Sequence, residues 1–212
     1  MNLIIFGPQG AGKGTQGARI SEKYDIPAIS TGEIFRWAIS GGTALGLKAR
    51  EYVDEGRLVP DEVTIGVVQE RLSAEDTQDG FLLDGFPRNL FQARSLDDFL
   101  GDRGKSLDAA LAIQVPDDVS IHRLTGRRVC VQCGRNYHVD APPLNDWTCD
   151  RCGGKVEARG DDLDAKTIKD RLALYHEQTE PLKAHYDSCG LLREIDGLGT
   201  PDEVFDRIVA AL

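Results

Sequence analysis

The feature that most constrains the fold of this chain is a glycine-rich segment, GPQGAGKGT at residues 7–15, directly after the apolar run NLIIF. The run is typical of a buried parallel strand, and the stretch 13–24 after the glycines predicts a helix. In this context glycines let backbone N–H groups converge on phosphate oxygens, and the helix N-terminus adds positive potential. Lys13 is then placed for the β- and γ-phosphates, so the segment predicts a nucleoside triphosphate site.

The metal ion that accompanies a triphosphate also has candidate ligands. In the usual loop a Ser or Thr follows the lysine directly, but here Gly14 intervenes, so the hydroxyl on the magnesium side must come from Thr15. Asp84 ends the predicted strand FLLD beside this loop, where its carboxylate can hold Mg²⁺ directly or through water. The alternative for Asp84 is a helix cap.

Five short apolar segments alternate with helical patterns along the chain. Such alternation predicts an α/β fold with a five-stranded parallel sheet covered by helices on both faces, and the phosphate loop makes it one of the P-loop NTPase type. The predicted strands are NLIIF, PAIS, GFLLD, LDAALAIQV and LLREI. The predicted helices cover residues 13–24, 32–40, 43–56, 61–73, 90–100 and 162–187, together with the segments DDVSIHRLTGRR and PDEVFDRIVAAL.

Length and charge limit the classes of function. At 212 residues the chain has the size of one domain. Its net charge of −10 argues against broad binding to nucleic acid or anionic membranes, because both need a positive surface. No apolar run approaches the ~18 residues of a membrane span, and the apolar N-terminus breaks at Gly7 with no basic region before it, unlike a signal peptide. We therefore expect a cytoplasmic monomer without nucleic-acid or membrane partners.

Four of the five cysteines form two C-x-x-C pairs separated by fifteen residues. In a cytoplasmic chain this spacing favours a metal site over disulfides. The glycine after each pair, Gly134 or Gly153, permits a positive φ that points backbone N–H groups at the thiolates. We predict a structural tetrahedral site, with Zn²⁺ first and iron possible, and the alternative is four cysteines without metal. The ligands would be Cys130, Cys133, Cys149 and Cys152.

Five segments in order, GPQGAGKGTQ, ISTGEIFR, GRLVPDE, GFLLDGFPRN and GRRVC, carry a resemblance to a known family. With them the chain resembles the adenylate kinases, a family of nucleoside monophosphate kinases, nearly from end to end. The resemblance implies reversible conversion of ATP and AMP to two ADP with Mg²⁺, and a structural zinc in the lid. It also implies three parts of the chain. The core would comprise residues 1–29, 60–125 and 164–212, the helical AMP-binding insert residues 30–59, and the small metal-binding lid residues 126–163.

The resemblance further implies roles for individual residues. On the ATP side these are Gly10, Ala11, Gly12, Lys13, Gly14, Thr15, Arg123, Arg127, Asn136, Tyr137 and Gly199. On the AMP side they are Thr31, Arg36, Arg57, Leu58, Val59, Gly85, Phe86, Pro87, Arg88, Gln92, Arg159 and Arg171. The implied catalytic set is Lys13, Asp84, Arg88, Arg127, Arg159 and Arg171. The i, i+4 spacing of Arg123 and Arg127 predicts that both guanidinium groups lie on one helix face.

The chemistry of the residues agrees with this assignment. An AMP phosphate oxygen is already anionic, so the reaction needs cations around a loose transition state rather than a general base. Two departures from the family are Gln9, where proline is usual, and Thr64, where an aliphatic residue is common. The four histidines show no triad-like arrangement and are interpreted as structural. Two alternatives are a related kinase for UMP, CMP or GMP and a metal-ribbon interaction module with a nucleotide switch.

Overall fold

The computed structural model of the protein describes residues 1–54, 59–159, 162 and 164–212, and for residues 33, 36, 40, 53 and 54 it describes the backbone. The predicted site residues Arg57 and Leu58, and the side chain of Arg36, therefore lie outside the described part. The strands are β1 (Asn2–Phe6), β2 (Ala28–Ser30), β3 (Phe81–Asp84), β4 (Ala109–Gln114), β5 (Arg127–Cys130), β6 (Asn136–His138), β7 (Val156–Ala158) and β8 (Leu192–Asp196). The α-helices are α1 (Lys13–Tyr24), α2 (Thr31–Ser40), α3 (Ala44–Asp54), α4 (Asp61–Leu72), α5 (Leu90–Gly101), α6 (Asp117–Thr125), α7 (Ala165–Leu174), α8 (Leu182–Ser188) and α9 (Pro201–Ala211).

Five parallel strands form the main sheet in the order β2-β3-β1-β4-β8. All five segments that the apolar runs predict as strands are in this sheet. The register pairs Ile5 of β1 with Asp84 of β3, and Ser30 of β2 also pairs with Asp84. The carboxyl ends of these strands therefore meet at one edge of the sheet, beside the loop that follows β1.

Side chains of the central strand alternate between two hydrophobic layers, as strand geometry requires. Ile4 and Phe6 pack in a cluster with residues of α2, α3, α4, α5 and α8. Leu3 and Ile5 pack on the opposite face with residues of α1 and α9. Helices on both faces of a parallel sheet confirm the predicted α/β fold. Among the described residues, no helix is both long and apolar enough to cross a membrane.

The prediction of one continuous helix over residues 162–187 is wrong. Helix α7 begins after Asp164, whose carboxylate accepts hydrogen bonds from the backbone N–H groups of Lys166 and Thr167. A π-helical turn, Tyr175–Thr179, follows α7, and α8 begins only after Pro181. Proline has no backbone N–H and its ring blocks the preceding turn, so the α-helical hydrogen-bond ladder is interrupted here.

A second sheet, which the sequence patterns do not predict, has the antiparallel order β6-β5-β7 and lies within the proposed lid. Its strands are three or four residues long, too short for a clear periodicity. Arg127 is the first residue of β5, because α6 ends at Thr125 with Gly126 as its C-cap. The prediction that Arg123 and Arg127 share a helix face is therefore wrong. The exact limits of core, insert and lid stay a prediction.

Candidate active site

The phosphate loop joins β1 to α1. Gly10 has a φ of 84°, and a Cβ atom there would lie 2.8 Å from the backbone oxygen of Ser120 in α6. Glycine is therefore needed for both the backbone conformation and the close approach of α6. Among the described residues no side chain caps α1, whose N-cap is Gly12. The first N–H groups of α1 thus remain available to an anion.

Lys13 lies at the start of α1, folded back over the loop. Its Nζ donates hydrogen bonds to the backbone oxygens of Gly7 and Pro8, each at 2.9 Å. Burial lowers the pKa of Lys13 to about 8, and the charges of Arg88, Arg127 and Arg171 also lower it, while the Asp84 carboxylate opposes the shift. Asp84 and three arginines therefore lie close enough to Lys13 to act on its charge, at the carboxyl edge of the sheet.

Asp84 sits beside the loop as predicted. Its Oδ2 is 3.8 Å from the position that a Cβ atom would take if Gly14 carried a side chain. The nearest following helix, α5, is capped by Asn89, whose side chain accepts a hydrogen bond from the N–H of Gln92 at 2.9 Å. A capping role for Asp84 on α5 is therefore excluded. Its carboxylate and the exposed hydroxyl-bearing residue Thr15 supply oxygen ligands of the kind that Mg²⁺ prefers.

Three residues of the predicted AMP side form one hydrogen-bonded group. The Nε of Arg88 donates to the backbone oxygen of Gly85 at 2.8 Å, and its Nη2 donates to Oγ1 of Thr31 at 3.4 Å. The Thr31 hydroxyl in turn donates to the Gly85 oxygen at 2.8 Å. The loss of hydration in this crowded site and the charge of Arg171 lower the pKa of Arg88. A guanidinium group held in this way is suited to binding a phosphate group.

Gln92 is 4% exposed, and both ends of its amide have protein partners. Its Oε1 accepts a hydrogen bond from the N–H of Arg88 at 2.8 Å, and its Nε2 donates to Oδ1 of Asp61 at 2.7 Å. Asn89 donates to the other oxygen of Asp61 at 2.8 Å. Gln92 and Asp61 thus position the Arg88 backbone. A contact of Gln92 with the AMP base stays a prediction.

Asp162, which the sequence analysis missed, joins two of the predicted catalytic arginines. Its side chain is 2% exposed and accepts hydrogen bonds from Nε and Nη2 of Arg127 at 2.7 and 2.9 Å. Nη1 of Arg171 donates to the same carboxylate at 3.3 Å. The fork geometry fixes the plane of the Arg127 guanidinium group. In the sequence, Asp162 is visible only as the second aspartate after Arg159 in ARGDD. The position of an aspartate in a polar segment does not indicate that its side chain is buried.

Arg123 contacts two loops of the predicted ATP side. Its Nη2 donates to the backbone oxygen of Gly197 at 3.0 Å, and its Nη1 lies 3.4 Å from the Gly10 oxygen. It therefore connects the phosphate loop with the segment after β8 that contains Gly199. Burial lowers the pKa of Arg123.

The other predicted nucleotide residues are spread over the site. Phe86 and Pro87 are buried beside Arg88, Val59 packs against the main hydrophobic cluster, and Asn136 is exposed on β6. Arg159 is exposed directly after β7. Their contacts with nucleotides stay predictions.

The four paired cysteines converge at one end of the second sheet, and their Sγ atoms all lie within 4.8 Å of one another. Sγ of Cys130 is 3.5 Å from that of Cys152, and Sγ of Cys133 is 3.6 Å from that of Cys149. A disulfide needs about 2.05 Å. Four sulfurs around one zinc ion lie about 3.8 Å apart, so the cluster fits a tetrahedral metal ion.

Backbone N–H groups lower the pKa of the Cys130 thiol, and a hydroxyl group together with backbone N–H groups lowers the pKa of the Cys149 thiol. Gly134 and Gly153 have φ of 73° and 71°, as predicted, and their N–H groups close the two turns on the oxygens of Cys130 and Cys149. The Tyr137 hydroxyl donates to Sγ of Cys149 at 3.4 Å and lowers the pKa of that thiol to about 6. The Tyr137 side chain therefore belongs to the cysteine cluster, and its predicted contact with ATP is untested.

Comparisons with known proteins agree with this geometry. The family model described as adenylate kinase matches residues 5–191. The chain is 50% identical over 213 residues to the adenylate kinase of Syntrophobacter fumaroxidans, with 100% of both chains covered. It is 51% identical over 209 residues to that of Clostridium tetani, covering 98% of this chain and 96% of the relative. It is also 51% identical over 213 residues to that of Clostridium beijerinckii, covering 100% and 98%. With these full-length similarities, and with Lys13 of the phosphate loop, Asp84 and three arginines brought together, the chain belongs to the adenylate kinase family.

Proposed function

We propose that this chain catalyses the reversible transfer of the γ-phosphoryl group of Mg·ATP to AMP, which gives two ADP. The observation that carries the proposal is the convergence of Asp84, Arg88, Arg127 and Arg171 on Lys13, whose pKa responds to the charge of each of them. Phosphoryl transfer depends mainly on such positioned charge, because its loose transition state spreads negative charge over the phosphate oxygens.

The chain's own groups suit the two phosphates of the reaction. The uncapped N-terminus of α1 and Lys13 would bind the triphosphate, with Lys13 exchanging its backbone acceptors for phosphate oxygens. Arg88, held by Gly85 and Thr31, would bind the AMP phosphate. That phosphate is already an anionic nucleophile, so no general base is needed. Mg²⁺, with Asp84 and Thr15 as its nearby oxygen groups, would supply charge neutralisation between the phosphates.

We further propose that Arg127, Arg159 and Arg171 complete the site when the lid, residues 126–163, and the insert, residues 30–59, close over the nucleotides. Asp162 supports this role because its carboxylate holds Arg127 and Arg171 together. Closure would also exclude water and so prevent hydrolysis of ATP.

We propose a structural Zn²⁺ in the cysteine cluster. Four sulfur ligands would fill its tetrahedral coordination, leaving no open position for a substrate. Among the described residues of the lid, Cys130, Cys149 and Val156 form a small buried cluster, so the metal would add to the few hydrophobic contacts of this unit.

We also propose that the enzyme works as a monomer in the cytoplasm, without nucleic-acid partners. The net charge of −10 and the free cysteines support this proposal, because a reducing compartment keeps thiols available for metal. Sedimentation equilibrium tests whether the protein is monomeric in solution.

A coupled assay with ATP and each of AMP, UMP, CMP and GMP tests the activity. We expect AMP to be preferred by about tenfold or more in kcat/KM. Preference for another monophosphate would favour the related kinases, a possibility raised by the buried Thr64 near the insert. Binding of ATP without turnover on any monophosphate would instead favour an interaction module.

A further inference from the structure

Three side chains outside the nucleotide and cysteine sites converge where α6 meets the second sheet. His122 lies in α6, His138 ends β6, and Asp140 follows two residues later. Nε2 of His122 is 2.9 Å from Oδ2 of Asp140, and Nδ1 of His138 is 3.2 Å from the same oxygen. One ligand atom from each residue lies within 4.8 Å of the other two. In the described part of the chain, the four cysteines form the only other group this compact.

The hydrogen bonds of His138 identify its basic ring nitrogen. Nδ1 accepts a hydrogen bond from the backbone N–H of Asp140 at 3.1 Å, and Nε2 is 3.4 Å from the backbone oxygen of His122. This network assigns the proton to Nε2 and the lone pair to Nδ1. Metal-binding histidines commonly donate their second ring N–H to a backbone carbonyl, which fixes the tautomer in the same way.

In this tautomer two acceptors face each other. The lone pair of Nδ1 of His138 and the Asp140 carboxylate are 3.2 Å apart, and the backbone N–H of Asp140 is the donor near them. A cation bound by both would remove the repulsion, and it would take the Nδ1 lone pair from the N–H of Asp140. The His138 ring lies against Gly126, where any Cβ atom would overlap it, so this close packing fixes the position of the ring.

The distances fit one small transition-metal ion. Nitrogen and oxygen ligands around tetrahedral zinc are about 3.4 Å apart, close to the separations of 2.9 and 3.2 Å at this cluster. The side chains of His122 and Asp140 are 66% and 64% exposed, so a water molecule can take the fourth position. Two imidazoles and a carboxylate suit zinc and its neighbours, whereas Mg²⁺ and Ca²⁺ prefer oxygen alone.

We propose that His122, His138 and Asp140 form a second metal site, separate from the four cysteines, that binds Zn²⁺ or a similar transition-metal ion. The ion links α6 to the loop after β6 and so connects the sheet β6-β5-β7 directly to a helix that also carries Arg123. The site depends on neither the proposed reaction nor the metal in the cysteine cluster.

His176 provides a matched control. It also contacts two carboxylates, but through opposite ring nitrogens, with Nε2 3.0 Å from Asp117 and Nδ1 2.8 Å from Glu180. A single ion cannot replace both contacts. His176 is 43% exposed, so its substitution removes a surface histidine without removing the proposed chelate.

Equilibrium dialysis of the full chain against micromolar free Zn²⁺, followed by elemental analysis, tests the proposal. We expect His122→Gln and Asp140→Asn each to bind one zinc fewer per chain than the parent protein, while His176→Gln binds as many as the parent. Because the readout is a difference between variants, it holds whether or not the cysteines bind metal. Circular dichroism establishes that each variant is folded.

Proton NMR of the imidazoles provides a second measurement. Zinc added beyond the amount taken by the cysteines should shift the resonances of His122 and His138 and leave those of His176 and His185 in place. Equal zinc content in the parent and both site variants, or equal shifts of all four histidines, would overturn the proposal.

Discussion

The buried carboxylate of Asp162 accepts two hydrogen bonds from the guanidinium group of Arg127, at 2.7 and 2.9 Å. The same carboxylate binds Arg171 at 3.3 Å, so one anion sets the positions of two cations that would act on the transferring phosphate. Misplacement of charge by about 1 Å is enough to slow an enzyme about a hundredfold. We therefore expect Asp162 to act as a positioning residue in the proposed reaction.

Asp162→Asn should lower kcat by about tenfold to a hundredfold with a smaller change in KM, because the amide cannot hold both guanidinium groups. Steady-state kinetics with ATP and AMP measure the effect. The control is Asp202→Asn, which removes the partner of Arg19 in a pair where the aspartate side chain is 83% exposed. Equal kcat in Asp162→Asn and the parent protein would contradict the positioning role.

Arg88→Ala should lower turnover by about a thousandfold or more while the fold stays intact, since a single charge-stabilising donor contributes about that much to phosphoryl or acyl transfer. The matched control is Arg94→Ala, an exposed arginine on α5. Turnover in single-turnover experiments separates chemistry from product release, and thermal unfolding verifies the fold. If Arg88→Ala retains turnover close to that of Arg94→Ala, Arg88 does not act on the phosphate.

The affinity for ATP should fall as the pH rises through about 8. Burial lowers the pKa of Lys13 to about 8, and a bound triphosphate would raise it. Below that pH the ammonium is already formed, whereas above it binding must take up one proton. The Kd for ATP should therefore rise about tenfold per pH unit above about 8.

Calorimetry in buffers of different ionisation enthalpy measures the proton uptake directly. Lys13→Arg is the control, because arginine keeps its charge throughout this range and should abolish the pH dependence. If the affinity of the parent protein for ATP does not change between about pH 7 and about pH 10, protonation of Lys13 is not coupled to ATP binding.

Removal of metal from the cysteine cluster should destabilise the lid more than it impairs the chemistry. With a chelator, or in Cys130→Ser, we expect the melting temperature to fall by about 5 °C or more, since metal binding contributes directly to folding. Differential scanning calorimetry provides the measurement. Cys189→Ser is the control because Cys189 is an exposed free cysteine. A protein with unchanged melting temperature after complete metal removal would contradict a structural role.

Features that depend on local residue order were accessible from the sequence. The apolar runs predicted all five strands of the main sheet, and the spacing of glycines and Lys13 predicted the phosphate loop, because both patterns act within about ten residues. The helix break before α8 was missed, although Pro181 marks it, because the apolar periodicity continues across it. The short strands of the second sheet were missed because three or four residues carry no clear period.

The sequence by itself therefore determined the α/β class, the phosphate loop, Asp84 at a strand end and the paired cysteines. Only the tertiary structure decided that Arg127 lies in strand β5 and not in α6, that Asp162 is buried against Arg127, and that His122 contacts Asp140. Those contacts join residues 35 and 18 positions apart. Their geometry and burial arise only when separate elements pack together, so no local periodicity or spacing encodes them.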